Sequence, residues 1–221
     1  LSVMFNQAEV WGFRPDNSNP CRHVKKYEEK KRERYLSGEE LSRLGQTLID
    51  LEKEGIESQS AINCIRLLIL TGCRLGEIQT LKWEFIKGSS AFLPVSKTGA
   101  KRVYLGPAAL VALSEIERIE DNPYVITGKL PSSHITDMQK PWRRIRKAAG
   151  LEDVRLHDLR HSFASTAVGT GESLPMIGKL LGHSQVQTTA RYAHLADDPM
   201  QNAAERVSSE LARLLKGGAI A

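Results

Sequence analysis

Residues 91–105 read AFLPVSKTGAKRVYL, and they mark the one place where the apolar period of this chain changes. AFLPV and RVYLG are short β-type runs, and Ser96-Lys97-Thr98-Gly99 between them is a turn sequence with glycine where a positive φ is needed. The stretch predicts a hairpin. On either side the spacing is helical. Towards the C-terminus helices are predicted over 107–119, 132–149, 157–169, 173–181, 185–193 and 200–215. Towards the N-terminus they cover 39–53, 58–71 (ending at Gly72) and 76 to about 83. Ser37 is placed to cap the first of these, with Glu40 three positions on to complete a capping box. The expected fold class is therefore mainly α with a small antiparallel β-sheet, an α+β arrangement.

Further upstream, LSVMFNQAEVWGF has near-helical spacing until Arg14-Pro15 stops it. Residues 15–36 are polar, charged and Pro-containing, and read as a linker to a main domain over 37–199. Residues 200–221 follow as a helix and tail. In the helix Ala203, Ala204, Val207, Leu211, Leu214 and Leu215 share a stripe, with Glu205, Arg206, Ser209 and Glu210 mostly opposite, and Gly217-Gly218 ends it. The chain opens at Leu1 in what reads as mid-helix, so a longer protein is expected.

Of 221 residues 41% are hydrophobic, enough for a sizeable core. Lys and Arg number 31 against 26 acids, a net charge of +5, which permits a polyanionic partner without requiring one. The basic residues cluster in RHVKKYEEKKRER (22–34) and KPWRRIRK (140–147). Each run reads equally as a solvated face or as a DNA contact. Lys25, Lys26, Lys101, Arg102, Arg143, Arg144 and Lys147 are the candidates. Cys21, Cys64 and Cys73 show no paired or metal-type spacing, and Cys73 reads as a small buried residue. No signal peptide and no apolar run of about 18 residues is present. A cytoplasmic protein without metal, cofactor or membrane partner is expected.

Several side chains could do chemistry. His157 and Arg160 lie three apart on one helix face, His183 follows Gly182 in a turn, Arg74 sits just after Gly72, and Lys97 occupies the hairpin tip. Singly, each reads as an ordinary surface group, and Tyr192 as a half-buried ring. Together they form a set. Two arginines can fork onto phosphodiester oxygens. A turn lysine can protonate a leaving oxygen, imidazoles can donate hydrogen bonds or act as base, and a tyrosine hydroxyl among cations becomes a nucleophile. No carboxylate cluster for paired metals and no GxxxxGK loop accompanies them. The set suits metal-free, nucleotide-free phosphoryl transfer through a phosphotyrosine.

In order, TGCRLGEIQTLKW, SKTGAKRVYL, LHDLRHSFAS and LLGHSQVQTTARYAHL resemble the catalytic domain of the tyrosine recombinases, the phage integrase family, over about residues 37 to 199. The resemblance implies that Arg74 and Arg160 clamp the phosphate and that Lys97 is the general acid. It makes His157 and His183 supporting groups, Glu77 a brace and Tyr192 the nucleophile. It implies a 3′-phosphotyrosine and a free 5′-hydroxyl, double-stranded DNA as partner, a homotetramer on two duplexes, and possible accessory DNA-bending or directionality proteins. Residues 1–14 then resemble the last helix of the family's core-binding domain, and 200–221 a segment that docks on a neighbouring protomer. WGFRPDNSNP and RERYLSGEEL look more like integrases of phages and genomic islands than chromosome-dimer resolvases. A DNA-relaxing topoisomerase of type IB is the competing enzyme reading. A DNA-binding regulator that has lost catalysis is disfavoured by the complete residue set.

Overall fold

The computed structural model describes residues 1–25, 27, 33–96, 99–183, 185–195 and 199–215. They divide into two units, residues 1–33 and 34–221.

In the first unit, α1 (Ser2–Val10) has no buried residue. The segment after it, expected as a linker from its composition, is tied back to the helix. Asn19, 5% exposed, donates to Ser2 O (3.1 Å) and Asn6 Oδ1 (2.5 Å), while its own Oδ1 accepts from Cys21 N at 2.8 Å. One buried amide thus ties the following turn back to the helix, and the unit boundary falls at 33/34. Lys25 is exposed here, and Lys26 lies outside the described residues.

The second unit begins with a strong local signal. Ser37 Oγ accepts from Glu40 N (3.2 Å) and Glu40 Oε2 accepts from Ser37 N (2.9 Å), so the capping box that starts α2 (Gly38–Lys53) forms as expected. Arg34 forks onto the same Glu40 carboxylate at 2.7 and 2.8 Å and holds its pKa at about 2. Next comes α3 (Gln59–Thr71), capped by Ser58 and buried over Ala61, Ile62, Cys64, Ile65, Leu67 and Leu68. It ends at Gly72, left-handed at φ 61°.

The short helix α4 (Leu75–Gln79) stops before the expected 83, because long-range pairing takes over. The Gln79 amide donates to Ile135 O and Thr136 O (3.0 and 2.9 Å), and Val125 N donates to Leu81 O at 2.9 Å. The sheet has three antiparallel strands, one more than the hairpin predicted: β1 (Ile86–Lys87), β2 (Ser90–Leu93) and β3 (Lys101–Tyr104), in that order. Its turn closes with Gly99 N donating to Ser96 O (3.1 Å) and Gly99 at φ 96°. Lys97 and Thr98 lie outside the described residues.

The remaining helices are α5 (Pro107–Ser114), α6 (Gln139–Ala148), α7 (Leu156–Gly169), α8 (Leu174–Leu181), α9 (Val186–Ala190) and α10 (Pro199–Leu215). Two predicted helices overran. Residues 115–119 leave the helix after α5. Residues 132–138 are irregular, with Ser132 at φ 51° and a bridge between Thr127 and His134, until the Asp137 carboxylate accepts from Gln139 N (2.9 Å) and α6 begins. The region expected as one helix over 185–193 is α9 followed by a 3₁₀ turn at Ala193–Leu195. The main core gathers α2, α3, the inner sheet face, α5, α6 and the start of α7. Trp142, buried within it, donates to Val154 O at 3.0 Å. A second cluster of Ala164, Val168, Ile177, Leu181 and Tyr192 joins α7, α8 and the segment after α9.

On α10, Val207, Leu211, Leu214 and Leu215 are 53–86% exposed, so this stripe is not packed into the core of its own unit. The side chains of Ala203 and Arg206, and Gly217-Gly218, lie outside the described set. Among the described residues no helix is long and apolar enough to cross a membrane.

Candidate active site

Two helix ends converge on Arg160. The chain leaves α3 through Gly72, where a Cβ would stand 2.5 Å from the Phe163 ring of α7, so only glycine lets the two elements approach this closely. That approach brings the Gly72 carbonyl to Arg160 Nη1 at 2.6 Å, while Nη2 donates to Leu181 O, at the end of α8, at 2.8 Å. Arg160 is 3% exposed, and burial beside Arg74 lowers its pKa. Of a guanidinium's five N–H donors, two are taken by these carbonyls and hold the group rigid.

Arg74 caps α4 and is organised by Glu77, whose side chain is 5% exposed. Glu77 Oε1 accepts from Arg74 Nη1 (2.9 Å) and Oε2 from Arg74 N (2.9 Å), and Lys101 Nζ lies 2.6 Å from Oε2. Burial alone would raise the Glu77 pKa. The Lys101 and Arg74 contacts outweigh it and hold the carboxyl below the usual range, so it remains an anion that fixes both cations.

The hairpin register places Lys101 and Arg102 on opposite faces of the sheet. Successive strand residues face opposite sides. Leu93 pairs with Lys101 and Phe92 with Arg102. Lys101 therefore shares the inner face with buried Leu93 and Val103, and its ammonium is committed to Glu77 at 9% side-chain exposure. Arg102 stands on the outer face beside exposed Phe92 and Tyr104. The two residues expected as DNA contacts thus stand differently, Lys101 held by Glu77 and Arg102 exposed to solvent.

His157 and His161 occupy successive turns of α7, with rings 4.8 Å apart at 87°. His157 is exposed at the cleft mouth, and partial desolvation together with Arg160 lowers its pKa. His183 follows Gly182, left-handed at φ 69°, whose turn sends His183 N to Gly178 O at 2.9 Å. Its Nδ1 lies 2.8 Å from the hydroxyl of buried Thr189. Burial, then Arg160 and Arg74, push its pKa down to about 4, so the ring is neutral at physiological pH.

Tyr192 is 5% exposed, its ring within the second core cluster and its N–H donating to Thr189 O at 3.0 Å. Its hydroxyl lies 2.5 Å from His161 Nδ1. Burial raises its pKa against the opposing pull of Arg191 and Arg160. The ring is thus a core residue whose hydroxyl still reaches a histidine on α7. His161 escaped the sequence reading. Its signal was present in His157-Asp158-Leu159-Arg160-His161, where positions 157 and 161 share a helix face.

Beside the site lies a cleft of about 290 Å³ whose lining includes Arg146, Arg155, His157 and Arg160, with Cys73 and Trp142, and no carboxylate. Arg146 and Arg155 were likewise not singled out from sequence. On α6, Arg143 and Lys147 are exposed, whereas Arg144 is ion-paired with the buried Glu57 carboxylate, which gives it a structural task. Among the described residues no group of three or more His, Cys, Asp or Glu is arranged to hold a metal ion.

The model of the phage integrase family matches residues 34–198. The chain belongs to the phage integrase family. It is 28% identical over 218 residues to the tyrosine recombinase XerC of Staphylococcus epidermidis, covering 91% of this chain and 71% of that protein. Its fold is similar to the crystal structure of the XerA recombinase, with a TM-score of 0.61 at 25% identity over 78% of this chain and 64% of the other. It is also similar to a lambda integrase tetramer bound to a Holliday junction, with a TM-score of 0.64 over 90% of this chain and 57% of the other. At 19% identity that likeness concerns the fold alone. The integrase-family chain thus spans just over half to about seven-tenths of these relatives.

Proposed function

We propose that this protein is a site-specific DNA recombinase that cuts and rejoins DNA through a covalent 3′-phosphotyrosine at Tyr192. The observation that carries the reading is the meeting of α3, α7, α8 and the segment after α9 at Arg160, with Arg74, His157, His183 and Tyr192 all within electrostatic reach of that guanidinium, beside a cleft that Arg160 and His157 help to line. In this reading Arg74 and Arg160 bind the nonbridging oxygens, where charge grows as phosphorus becomes pentacoordinate. Neutral His183 adds hydrogen bonds, as does His157. Lys97 protonates the departing 5′ oxygen, a role that rests on the family resemblance. The phosphotyrosine ester conserves the energy of the broken bond, so a second 5′-hydroxyl can displace the tyrosine without ATP.

The finer reading is integration or excision of a phage or genomic island, supported by the WGFRPDNSNP and RERYLSGEEL segments. The likeness to the tyrosine recombinase XerC favours an Xer-type recombinase as the second reading. Mixing the intact protein with two labelled duplexes carrying its flanking chromosomal DNA, with chelator and without nucleotide, tests the function. Recombinant-length products are expected. Relaxation of supercoiled plasmid with no exchange between duplexes would instead identify a topoisomerase.

Assembly follows from α10. Its uncovered Val207, Leu211, Leu214 and Leu215 stripe suits a groove on a neighbouring protomer, which would couple the nearby Tyr192 to the tetramer. Deleting residues 200–221 is expected to leave a folded, DNA-binding monomer that forms no synaptic complex. Sedimentation on attachment-site DNA reads this directly, and equal tetramer formation by intact and truncated protein would rule out docking in trans.

A further inference from the structure

The four-part set of arginines, lysine, histidines and tyrosine leaves one proton without a destination. A phenol must lose its proton as it attacks phosphorus, and burial makes the Tyr192 phenol harder to ionise than free tyrosine. We infer that His161 is the general base for Tyr192, taking the phenol proton at Nδ1 as the tyrosine attacks the phosphate. This rests on the recombinase reading and adds a catalytic residue to it.

The geometry is direct. Nδ1 of His161 lies 2.5 Å from Tyr192 Oη, at tilted rings 5.8 Å between centroids, so the acceptor already touches the reacting atom. Both partners are held from behind. The tyrosine ring is locked among Ala164, Val168, Ile177 and Leu181, and His161 sits on α7 one turn from His157, against whose ring it packs edge-on. Neither His157 nor His183 has this contact with the hydroxyl. His183 spends its Nδ1 on Thr189.

The charges around His161 keep it ready to accept. Burial comes first, then His157 on the same helix, Arg191 beside the tyrosine and Arg160. Against the opposing pull of Asp158 they push its pKa to about 4, and His183 faces it from the turn after α8. The ring is consequently neutral above about pH 5, with one nitrogen free to take a proton. A scissile phosphate entering this cationic site brings negative charge and raises the basicity of the ring when the proton must move.

The step balances. The Oη–phosphorus bond forms while the phosphorus–O5′ bond breaks. The phenol proton goes to His161 Nδ1, and the 5′ oxygen takes its proton from Lys97. Rejoining runs both transfers backwards, with His161 returning its proton to the departing tyrosine.

The test uses the intact protein on a nicked substrate that traps the covalent adduct, with wild type, His161→Phe and His161→Asn. Asparagine presents an amide group near the position of Nδ1, so it conserves the local contact without the basicity. Wild-type cleavage should be nearly flat between about pH 6 and pH 9, because the neutral base is fully present throughout. Both variants should bind DNA and melt like wild type, cleave about 100-fold or more slowly near pH 7, and gain roughly tenfold per pH unit as hydroxide replaces the base. A substrate with sulfur at the 5′ leaving position should rescue Lys97→Ala but neither His161 variant, since sulfur leaves without an acid yet the phenol still needs a base.

A variant that cleaves at the wild-type rate with the wild-type profile overturns the inference. So does a loss that is equal at every pH, the mark of a merely structural role. Faster cleavage by His161→Phe would also overturn it, making the contact a restraint on Tyr192. If wild type itself forms no adduct, the recombinase reading fails. If wild type does and the variants match it, only the base assignment fails.

Discussion

Tyr192→Phe is expected to abolish covalent adduct formation while changing DNA affinity by less than about threefold, a shift below about 1 kcal/mol. The reasoning is local. The ring belongs to the cluster of Ala164, Val168, Ile177 and Leu181, and phenylalanine fills the same space, so the fold around it survives. Only the hydroxyl goes, and with it the hydrogen bond to His161. Because His161 is half-buried and its ring is neutral, losing that partner strands no buried charge. Trapping on a nicked duplex, read alongside a binding isotherm for the same preparation, measures both quantities. An adduct that persists in the variant would remove Tyr192 from the chemistry.

Arg160→Ala should be almost as damaging to cleavage, by about 10³-fold or more, but for two reasons that separate experimentally. The first is chemical: a buried guanidinium aimed at a phosphate supplies charge-assisted donors where the transition state gathers charge, and one such donor is worth about 10² to 10³. The second is architectural. Its removal leaves the buried Gly72 carbonyl, now bonded at 2.6 Å, without a donor, and leaves the Leu181 carbonyl, now bonded at 2.8 Å, only the long 3.5 Å contact from Lys101 Nζ. Each unsatisfied group costs about 1–3 kcal/mol. Arg160→Ala should therefore also melt earlier than wild type. Arg160→Lys retains the charge but cannot reach both carbonyls and a phosphate in one plane. It should recover part of the stability and little of the cleavage. Denaturant midpoints together with single-turnover cleavage would separate the effects. Full activity in Arg160→Lys would show that a point charge suffices and that the fork does not matter.

What could be read in the chain follows how local each signal is. The Ser37 box, the Gly72 and Gly182 helix ends and the His157/Arg160 face depend on neighbours a few residues apart, and the structure contains all of them. The small antiparallel sheet was also legible, because a period of two interrupts a helical chain. Signals that depend on a partner far along the chain were lost. Nothing near Gln79 announces that its amide will meet residues 135 and 136, so the local spacing predicts a longer α4 than forms. The hairpin was visible but its register was not, and a shift of one residue decides whether Lys101 or Arg102 faces Glu77. Asn19 shows the same effect in the first unit, where a polar stretch that reads as linker is pinned by one buried amide.

The candidate site divides the same way. Arg74, His157, Arg160, His183 and Tyr192 could be named because their spacing matches a known order. Lys97 belongs to that order but lies outside the described residues, as does Lys26 of the basic run. Arg146 and Arg155 emerge only when α6 and the start of α7 wall the cleft together. His161 was hidden by its position. Directly after Arg160 it reads as a spacer, and its meeting with Tyr192, 31 positions away, exists only once α7 and the segment after α9 pack.

The most direct test of the central claim is to identify the atom that holds the DNA. The intact protein is incubated with a nicked duplex of its flanking DNA, the trapped adduct is digested with protease and nuclease, and the nucleotide-bearing peptide is sequenced by mass spectrometry. A nucleotide joined through its 3′-phosphate to Tyr192, formed equally well with chelator present, is the predicted result. A nucleotide on any other side chain, or one attached through its 5′-phosphate, would contradict the account.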